Sequence, residues 1–449
     1  MTTPPAPERI EERLAAAGLP PLRRTAWLEI DLAAVATNLA AIRRMAGGAA
    51  VMPVVKAEAY GHGMIPVAAV LQASGADALC VATLDEALTL RAAGITVEVI
   101  VLYPVPPDGL RDAAANGIVV TVGTASLDDL SRAADPRRPA GVGHPTRPTP
   151  PLRVELEVET GLGRGGVPPD AIVAAAERVA GAGAELTGVW SHLQESEVEA
   201  ITREQVARFE AAIGALRAAG IAVPRRHLAA SAALVLGNVP RYDAVRPGLI
   251  TYGLIPDELH PGALAAAGIG PAAFVPGARD LRPLLSLRAR PVRVADLATG
   301  HGVSYGPTWR APRPSRIATL PIGYGDGWPR ALSNRGEVLV RGVRAPVVGN
   351  VAMDATMIDV TDVPGRPVDV ADEFVLVGRQ GPAEITAAEV ARWRTTNSWE
   401  VVTAMSGRLT RVYHAPAGFA GPSAFAQETR WLASNSGTAT SAISRSMQS

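Results

Sequence analysis

From about residue 48 to 253 the apolar residues come in short β-branched runs, each followed by an Ala-, Leu- and Glu-rich stretch of helical character. The runs are VMPVVKA (51–57), ALCVA (78–82), VEVIVLY (97–103), IVVTV (118–122), LRVELEV (152–158), LTGVWSHL (186–193), RRHLAA (225–230) and GLITYGL (248–254). Eight strands separated by helices over this length predict an α/β fold of the (β/α)8 TIM-barrel type, with a doubly wound sheet as the alternative. Beyond about residue 283 the texture changes to short strands broken by Gly and Pro, as in RIATLPIGYGDG and GEVLVRGVRAPVVGNVAMDATMIDVTDV. This predicts a second, C-terminal all-β domain. AWLEIDL near the N-terminus is also strand-like and is expected to pair outside the barrel. The expected layout is an N-terminal extension (1–24), a barrel (25–270), a β domain (271–417) and a disordered Ser-, Ala- and Thr-rich tail (418–449), with inserted loops at 134–151 and 255–282.

Charge narrows the function. The 43 basic and 43 acidic residues cancel, and no basic stripe or acidic run stands out. Nucleic acid and anionic membrane are therefore poor partners, and a small-molecule substrate is expected. The single Cys80, in an apolar run, excludes an internal disulfide and fits a reducing compartment. The opening segment lacks the apolar centre of a secretory signal, and no apolar stretch reaches the length of a membrane span. A cytoplasmic location is expected, and no metal site.

Within this arginine-rich chain, only one of the 43 basic residues is a lysine, Lys56. Arginine stays protonated, whereas a lysine amine can lose its proton and act as a base or condense with a carbonyl. Lys56 closes an apolar run and is followed by a Tyr-Gly-His-Gly turn. That setting favours a chemical role over the chance survival of one lysine. Barrel active sites lie at the C-terminal ends of the strands. His192, His227 with Ser231, and Arg246 fall at the same level. Singly, each histidine reads more readily as a structural group, and it is their convergence on one rim that points to a site.

The fifth run carries Glu155, Glu157 and Glu159 on one face by the strand period of two, with Val154, Leu156 and Val158 on the other. Carboxylates facing the barrel interior require partners, and Arg164 is the nearest candidate. Arg164 lies in TGLGRGG, where Gly161, Gly163 and Gly166 meet the G-x-G-x-x-G spacing. Alone that spacing is weak evidence for a dinucleotide, and the barrel-like strand count argues against it.

VVKAEAYGHG, TGLGRGG, HLAASAAL, RPGLITYGL, GVSYGPTW, LPIGYGDGWPRALSNRGEVLVRG, VAMD and GRQG occur in the order found in bacterial alanine racemase, and the chain resembles that family over about residues 25–416. The resemblance implies a pyridoxal 5'-phosphate (PLP) barrel with a C-terminal β domain, working as a head-to-tail homodimer whose active sites are shared. It implies an enzyme that interconverts L- and D-alanine by a two-base mechanism and supplies D-alanine for peptidoglycan. Lys56 would form the Schiff base with PLP and serve as one base, and Tyr305 of the partner subunit as the other, supported by His192 and Arg164. Tyr60, Ser231, Gly248 and Leu249 match phosphate contacts, and Tyr324 a phosphate-side gate. Arg246 matches the donor to the pyridine nitrogen, Arg164 and Met353 the groups near the phenolic oxygen and the substrate carboxylate, and Glu197 and Arg330 the entrance corridor.

Three positions depart from the family pattern. Glu157 stands where many relatives carry a lysine bearing bound carbon dioxide, Asn350 where an entrance arginine is usual, and Gly407 where some members have a gate tyrosine. The rivals are a serine or broad-spectrum racemase, a PLP decarboxylase, which Arg246 opposes, and a non-catalytic PLP carrier, which the β domain and Tyr305 oppose.

Overall fold

The computed structural model describes residues 9–133, 150–266, 274–415 and 430–433. Eight parallel strands run in the order Ala50–Val51, Ala244–Val245, Arg226–His227, Glu185–Trp190, Arg153–Glu157, Ile118–Val122, Glu98–Val101 and Ala78–Val81. A parallel bridge between Val54 and Cys80 joins the two ends of this order and closes the barrel. The Val- and Ile-rich central strands are buried along their whole length because helices cover the outer face and side chains fill the inner one.

Two of the expected strands differ. The run 51–57 pairs only at its start and at Val54, because the chain turns at Lys56. GLITYGL is not the eighth strand: that strand is Ala244–Val245, and Leu249–Tyr252 forms a 3-10 turn closed by Gly253 at φ 74°. Pro247 ends the ladder, and the four turn residues are buried beneath the barrel rim. An apolar run of this length does not distinguish a buried turn from a buried strand.

Ala26–Asp31 pairs outside the barrel as expected, antiparallel to Leu285–Ala289 and parallel to Thr410–Ala415. It thereby ties the N-terminus into an eight-stranded sheet of the C-terminal region. Asp31 then caps the helix Leu32–Ala46, its carboxylate accepting from the N–H groups of Ala33 and Ala34. A three-stranded antiparallel sheet of Arg293–Leu297, Ser315–Leu320 and Thr356–Asp359 completes the β region. Two short helices accompany it, Ala387–Arg394 and Ser398–Thr403. The second is tied to the expected 255–282 insert, since Ser398 Oγ donates to Asp257 at 2.7 Å. Of the segment expected to be a disordered tail, Arg430–Ala433 forms a parallel edge strand beside Thr410–Ala415. The rest of that tail, and the 134–149 part of the first insert, lie outside the described residues.

Candidate active site

Lys56 begins a turn of the wrong hand. Ala57, Glu58, Ala59 and Tyr60 all have positive φ, between 51° and 55°, and none is glycine. For L-residues this conformation costs about 1–2 kcal/mol each, so the surroundings must hold it. Glu86 accepts from the Ala57 N–H at 2.6 Å, and Glu58 accepts from the Met64 N–H at 3.2 Å. Gly61, at φ 81°, lies directly against the Val402 carbonyl of the helix Ser398–Thr403, where any Cβ would collide. Four residues apart on one helical turn, Lys56 and Tyr60 both face the same cavity.

That cavity, of about 420 Å³, brings together Lys56, Tyr60, Arg164, His192, Ser231, Arg246, Gly248 and Leu249. One corner is built tightly around Gly248, whose N–H donates to Ser231 Oγ at 2.9 Å. A Cβ there would come within 2.8 Å of the Tyr60 hydroxyl. Two hydroxyls and a bare backbone thus converge on a space that only glycine leaves open, a donor set suited to a phosphate. The cavity also has walls that the sequence reading did not assign. Tyr103 lies between two cations, its ring centre 5.7 Å from the Lys56 amine and 5.5 Å from the Arg164 guanidinium. Trp190 lies under Arg246 at 4.5 Å. Trp399 and Thr403 close the side nearest the β region. Tyr103 ends the predicted run 97–103 and Trp190 lies within the run 186–193, which was the signal available for finding them.

Arg246 is 2% exposed and fully engaged at its ends. One terminal nitrogen donates to His227 Nδ1 and to the His227 carbonyl, the other to the Ser191 carbonyl at 2.6 Å and, more distantly, to His192 Nδ1. A guanidinium only donates, so His227 Nδ1 must accept and the ring proton sits on Nε2. From there it reaches Glu155 at 2.9 Å. Burial pushes His227 down to about 4, keeping it neutral, and pushes Arg246 down only to about 10, keeping it charged. Burial, with the charges of Arg246, Arg164 and Lys56, takes His192 to about 3. Burial alone would raise the Glu155 carboxyl, but His227 and Arg225 hold it at about 2. The chain Glu155–His227–Arg246 therefore fixes a protonated guanidinium in the cavity wall, with Nε–H as its uncommitted donor among the described residues.

The three glutamates of the fifth strand divide their partners. Glu155 is paired with His227 and Arg225, and Glu157 with Arg164 at 2.8 Å. Arg164 is thus the partner of one buried carboxylate and not of the other. Glu159 turns outward and accepts from the N–H groups of Gly161, Gly163 and Arg164. The glycine-rich loop is therefore folded around its own carboxylate, and its N–H groups are not offered to a phosphate. Glu157→Gln removes the charge from the Arg164 pair and is expected to raise the activation barrier by about 1–3 kcal/mol, the range for a charge-assisted hydrogen bond. Steady-state rates of the racemisation that the resemblance implies, with and without bicarbonate, check this: Glu157 supplies its carboxylate permanently, so the native protein should be indifferent to bicarbonate, and dependence on it would contradict this role.

The sequence matches the family models described as alanine racemase, N-terminal domain, over residues 30–256 and alanine racemase, C-terminal domain, over residues 284–413. The chain belongs to the alanine racemase family. It is 40% identical over 393 residues to the alanine racemase of Symbiobacterium thermophilum, an alignment covering 87% of this chain and 97% of that protein. The alanine racemase of Salinispora tropica is 39% identical over 397 residues, covering 86% and 98%. Among solved structures, the Bacillus anthracis alanine racemase with bound L-Ala-P superposes with a TM-score of 0.77 at 32% identity, covering 88% of this chain and 96% of that one. The alanine racemase of the D-cycloserine producer Streptomyces lavendulae gives 0.75 at 34%, covering 88% and 98%. The barrel followed by a β region is thus that of an isomerase of the alanine racemase type.

For an alanine racemase, the placement of the remaining candidates is informative. Tyr305, Tyr324 and Met353 do not line the cavity of their own chain. They are 77%, 43% and 52% exposed, on neighbouring loops of the β region. The Tyr324 N–H donates to the Ala352 carbonyl, and Asn350 Nδ2 donates to the Tyr305 carbonyl at 2.8 Å. Asn350 thus shapes the loop carrying Tyr305. Glu197 lies close enough to Glu258, a cavity-wall residue, for its charge to help raise that carboxyl, although burial is the larger cause. Arg330 opens the short turn Arg330–Leu332 on the β region. Among the described residues no cluster of His, Cys, Asp or Glu suits a metal, and no helix is long and apolar enough to cross a membrane.

Proposed function

We propose that the protein is a PLP-dependent alanine racemase that uses Lys56 and the partner's Tyr305 as its two bases. The observation that carries this reading is the meeting of the chain's sole lysine with Arg246, Tyr60, Ser231 and Gly248 in one cavity. When bound, PLP supplies an aldehyde that condenses with amines and a conjugated ring that withdraws electrons from the substrate α-carbon. Lys56 would anchor it. The hydroxyls of Tyr60 and Ser231, with the backbone at Gly248 and Leu249, would hold its phosphate.

Arg246 keeps its own proton, and its Nε–H would be the donor available to the pyridine nitrogen, which would then stay unprotonated. By withholding a proton from that nitrogen, Arg246 would keep electron withdrawal moderate and so favour return of a proton to the α-carbon. Inverting the α-carbon needs a base on each face. Lys56 moves the proton on one face, and Tyr305 of the partner subunit moves it on the other. Arg164, fixed by Glu157 and seated over Tyr103, orients the substrate carboxylate together with the Met353 amide. The exposed Tyr305, Tyr324 and Met353 fit an interface at which each β region completes the other chain's site in a homodimer. We place the reaction in the cytoplasm, where its D-alanine supplies cell-wall peptidoglycan.

The test is incubation of the purified protein with PLP and individual L-amino acids, followed by separation of enantiomers. D-alanine should accumulate from L-alanine to a near-equal mixture. Its absence, or release of carbon dioxide with an amine product, would overturn the assignment. We propose serine as a second substrate because Gly407, which is exposed and outside the lining of its own chain's cavity, carries no bulk, and a Cβ there would meet nothing within 4 Å. A pocket that tolerates an added hydroxyl discriminates by only about a hundredfold. Alanine should be preferred with measurable serine turnover, and Gly407→Tyr should depress the serine rate more than the alanine rate. Equal losses for both substrates would remove Gly407 from specificity.

A further inference from the structure

Two buried rings beneath Lys56 have no place in the proposed reaction. His62 is fully buried, and its Nδ1 lies 2.9 Å from the carbonyl oxygens of both Ala59 and Tyr60. Carbonyl oxygens only accept, so Nδ1 carries the ring proton and Nε2 is bare. Burial keeps the ring neutral by taking its pKa down to about 4, so the donor on Nδ1 persists across the working range. The ring stacks on Tyr252 at 4.5 Å, and Tyr252 packs against Tyr60 at 4.9 Å. The Tyr252 hydroxyl donates to the Val54 carbonyl at 2.7 Å. The stack therefore grips the chain on both sides of Lys56, at Val54 before it and at Ala59 and Tyr60 after it.

We infer that His62 is a positioning residue for Lys56: its Nδ1–H holds the Ala59 and Tyr60 carbonyls, fixes the left-handed turn, and so sets the Lys56 amine and the Tyr60 hydroxyl at the separation the cofactor requires. The inference rests on the reading of Lys56 and Tyr60 as PLP contacts. A left-handed turn of four non-glycine residues is not the conformation that the chain would adopt unaided. Two hydrogen bonds from one ring nitrogen to consecutive carbonyls suit a curl in which those carbonyls point the same way.

A core histidine that merely filled space would be replaceable by any side chain of similar bulk, whereas a clamp needs a donor at the Nδ1 position. Asparagine places its amide N–H there, and leucine has no donor. His62→Asn and His62→Leu should be compared with the native protein for PLP affinity by absorbance titration, for borohydride labelling of Lys56, and for alanine kcat and KM. Among side chains the label can fall only on Lys56, the sole lysine, and peptide mapping separates it from the α-amino group. Both variants should lose thermal stability, since Asn leaves the face of Tyr252 uncovered and Leu removes the side-chain donor of the Tyr60 carbonyl, while the Ala59 carbonyl keeps the N–H of residue 62. Thermal midpoints therefore do not rank the two, whereas PLP affinity does. His62→Asn should bind PLP within tenfold of native. His62→Leu should bind more than tenfold weaker than His62→Asn and lose kcat more than KM. Comparable affinities for the two variants, or His62→Asn falling beyond tenfold from native, would overturn the clamp. If His62→Leu does not fold, the His62→Asn threshold decides alone. If the native protein itself takes no label at Lys56, the cofactor reading falls instead.

Discussion

Lys56→Arg is expected to abolish the visible absorbance of the PLP-loaded protein, the borohydride label and racemisation together. Arginine keeps the positive charge, so the contact with the Tyr103 ring, 5.7 Å from the native amine, and the local electrostatics should survive. What is lost is a primary amine, the one group that can both condense with an aldehyde and return a proton as a neutral base. Loss of a positioned base costs roughly 10²–10⁴ in rate, and loss of the covalent anchor at the same residue should carry the drop to the upper end of that range or past it. Because no second lysine exists in the chain, no neighbouring side-chain amine can take over. Absorbance that persists in the variant, or a label found elsewhere, would sink the assignment of Lys56. A normal thermal midpoint in the variant without PLP separates this outcome from misfolding.

The parts of the fold that the sequence made legible are those where one physical signal dominates. Strands such as Ala78–Val81 and Ile118–Val122 are buried on both faces, so their composition alone marks them. Leu249–Tyr252 is equally apolar but for a different reason: it seals the barrel rim, and its burial comes from tertiary packing that no local period records. The same distinction applies at the site. Lys56 stood out because it is unique, His192 and Ser231 because they fall at or just beyond the ends of predicted strands, and Arg246 because it stands just before the run GLITYGL. Tyr103 ends its predicted run and Trp190 ends its observed strand, yet aromatic residues there read as ordinary core, and only the positions of Arg164 and Arg246 over their rings show the role. The Glu155–His227–Arg246 linkage was not legible because its members come from the middle of one strand and the ends of two others, 72 and 19 residues apart. The left-handed turn was hidden as well, since Ala, Glu and Tyr carry no preference for positive φ and His62 acts on it only through the fold.

Tyr305→Phe should leave PLP binding intact while cutting racemisation by roughly 10²–10⁴, the range for a positioned acid/base group. The variant removes one hydroxyl from a side chain that is 77% exposed on its own chain, so the barrel and its cofactor contacts are untouched. With only Lys56 left to move protons, exchange of the α-hydrogen with solvent should survive better for one enantiomer than for the other. Small and equal losses in both directions would remove Tyr305 from the mechanism. The exposure also makes a claim about assembly, because Lys56 lines the cavity and Tyr305 does not. If each site takes Lys56 from one chain and Tyr305 from the other, a heterodimer of Lys56→Ala and Tyr305→Phe chains has one intact site and one doubly defective site. Random re-pairing of equal amounts makes about half the dimers mixed, so about one-quarter of native activity should return from two inactive parents. A mixture that stays inactive after verified subunit exchange would show that both bases come from one chain, and that the loop carrying Tyr305 must fold back onto its own cavity to work.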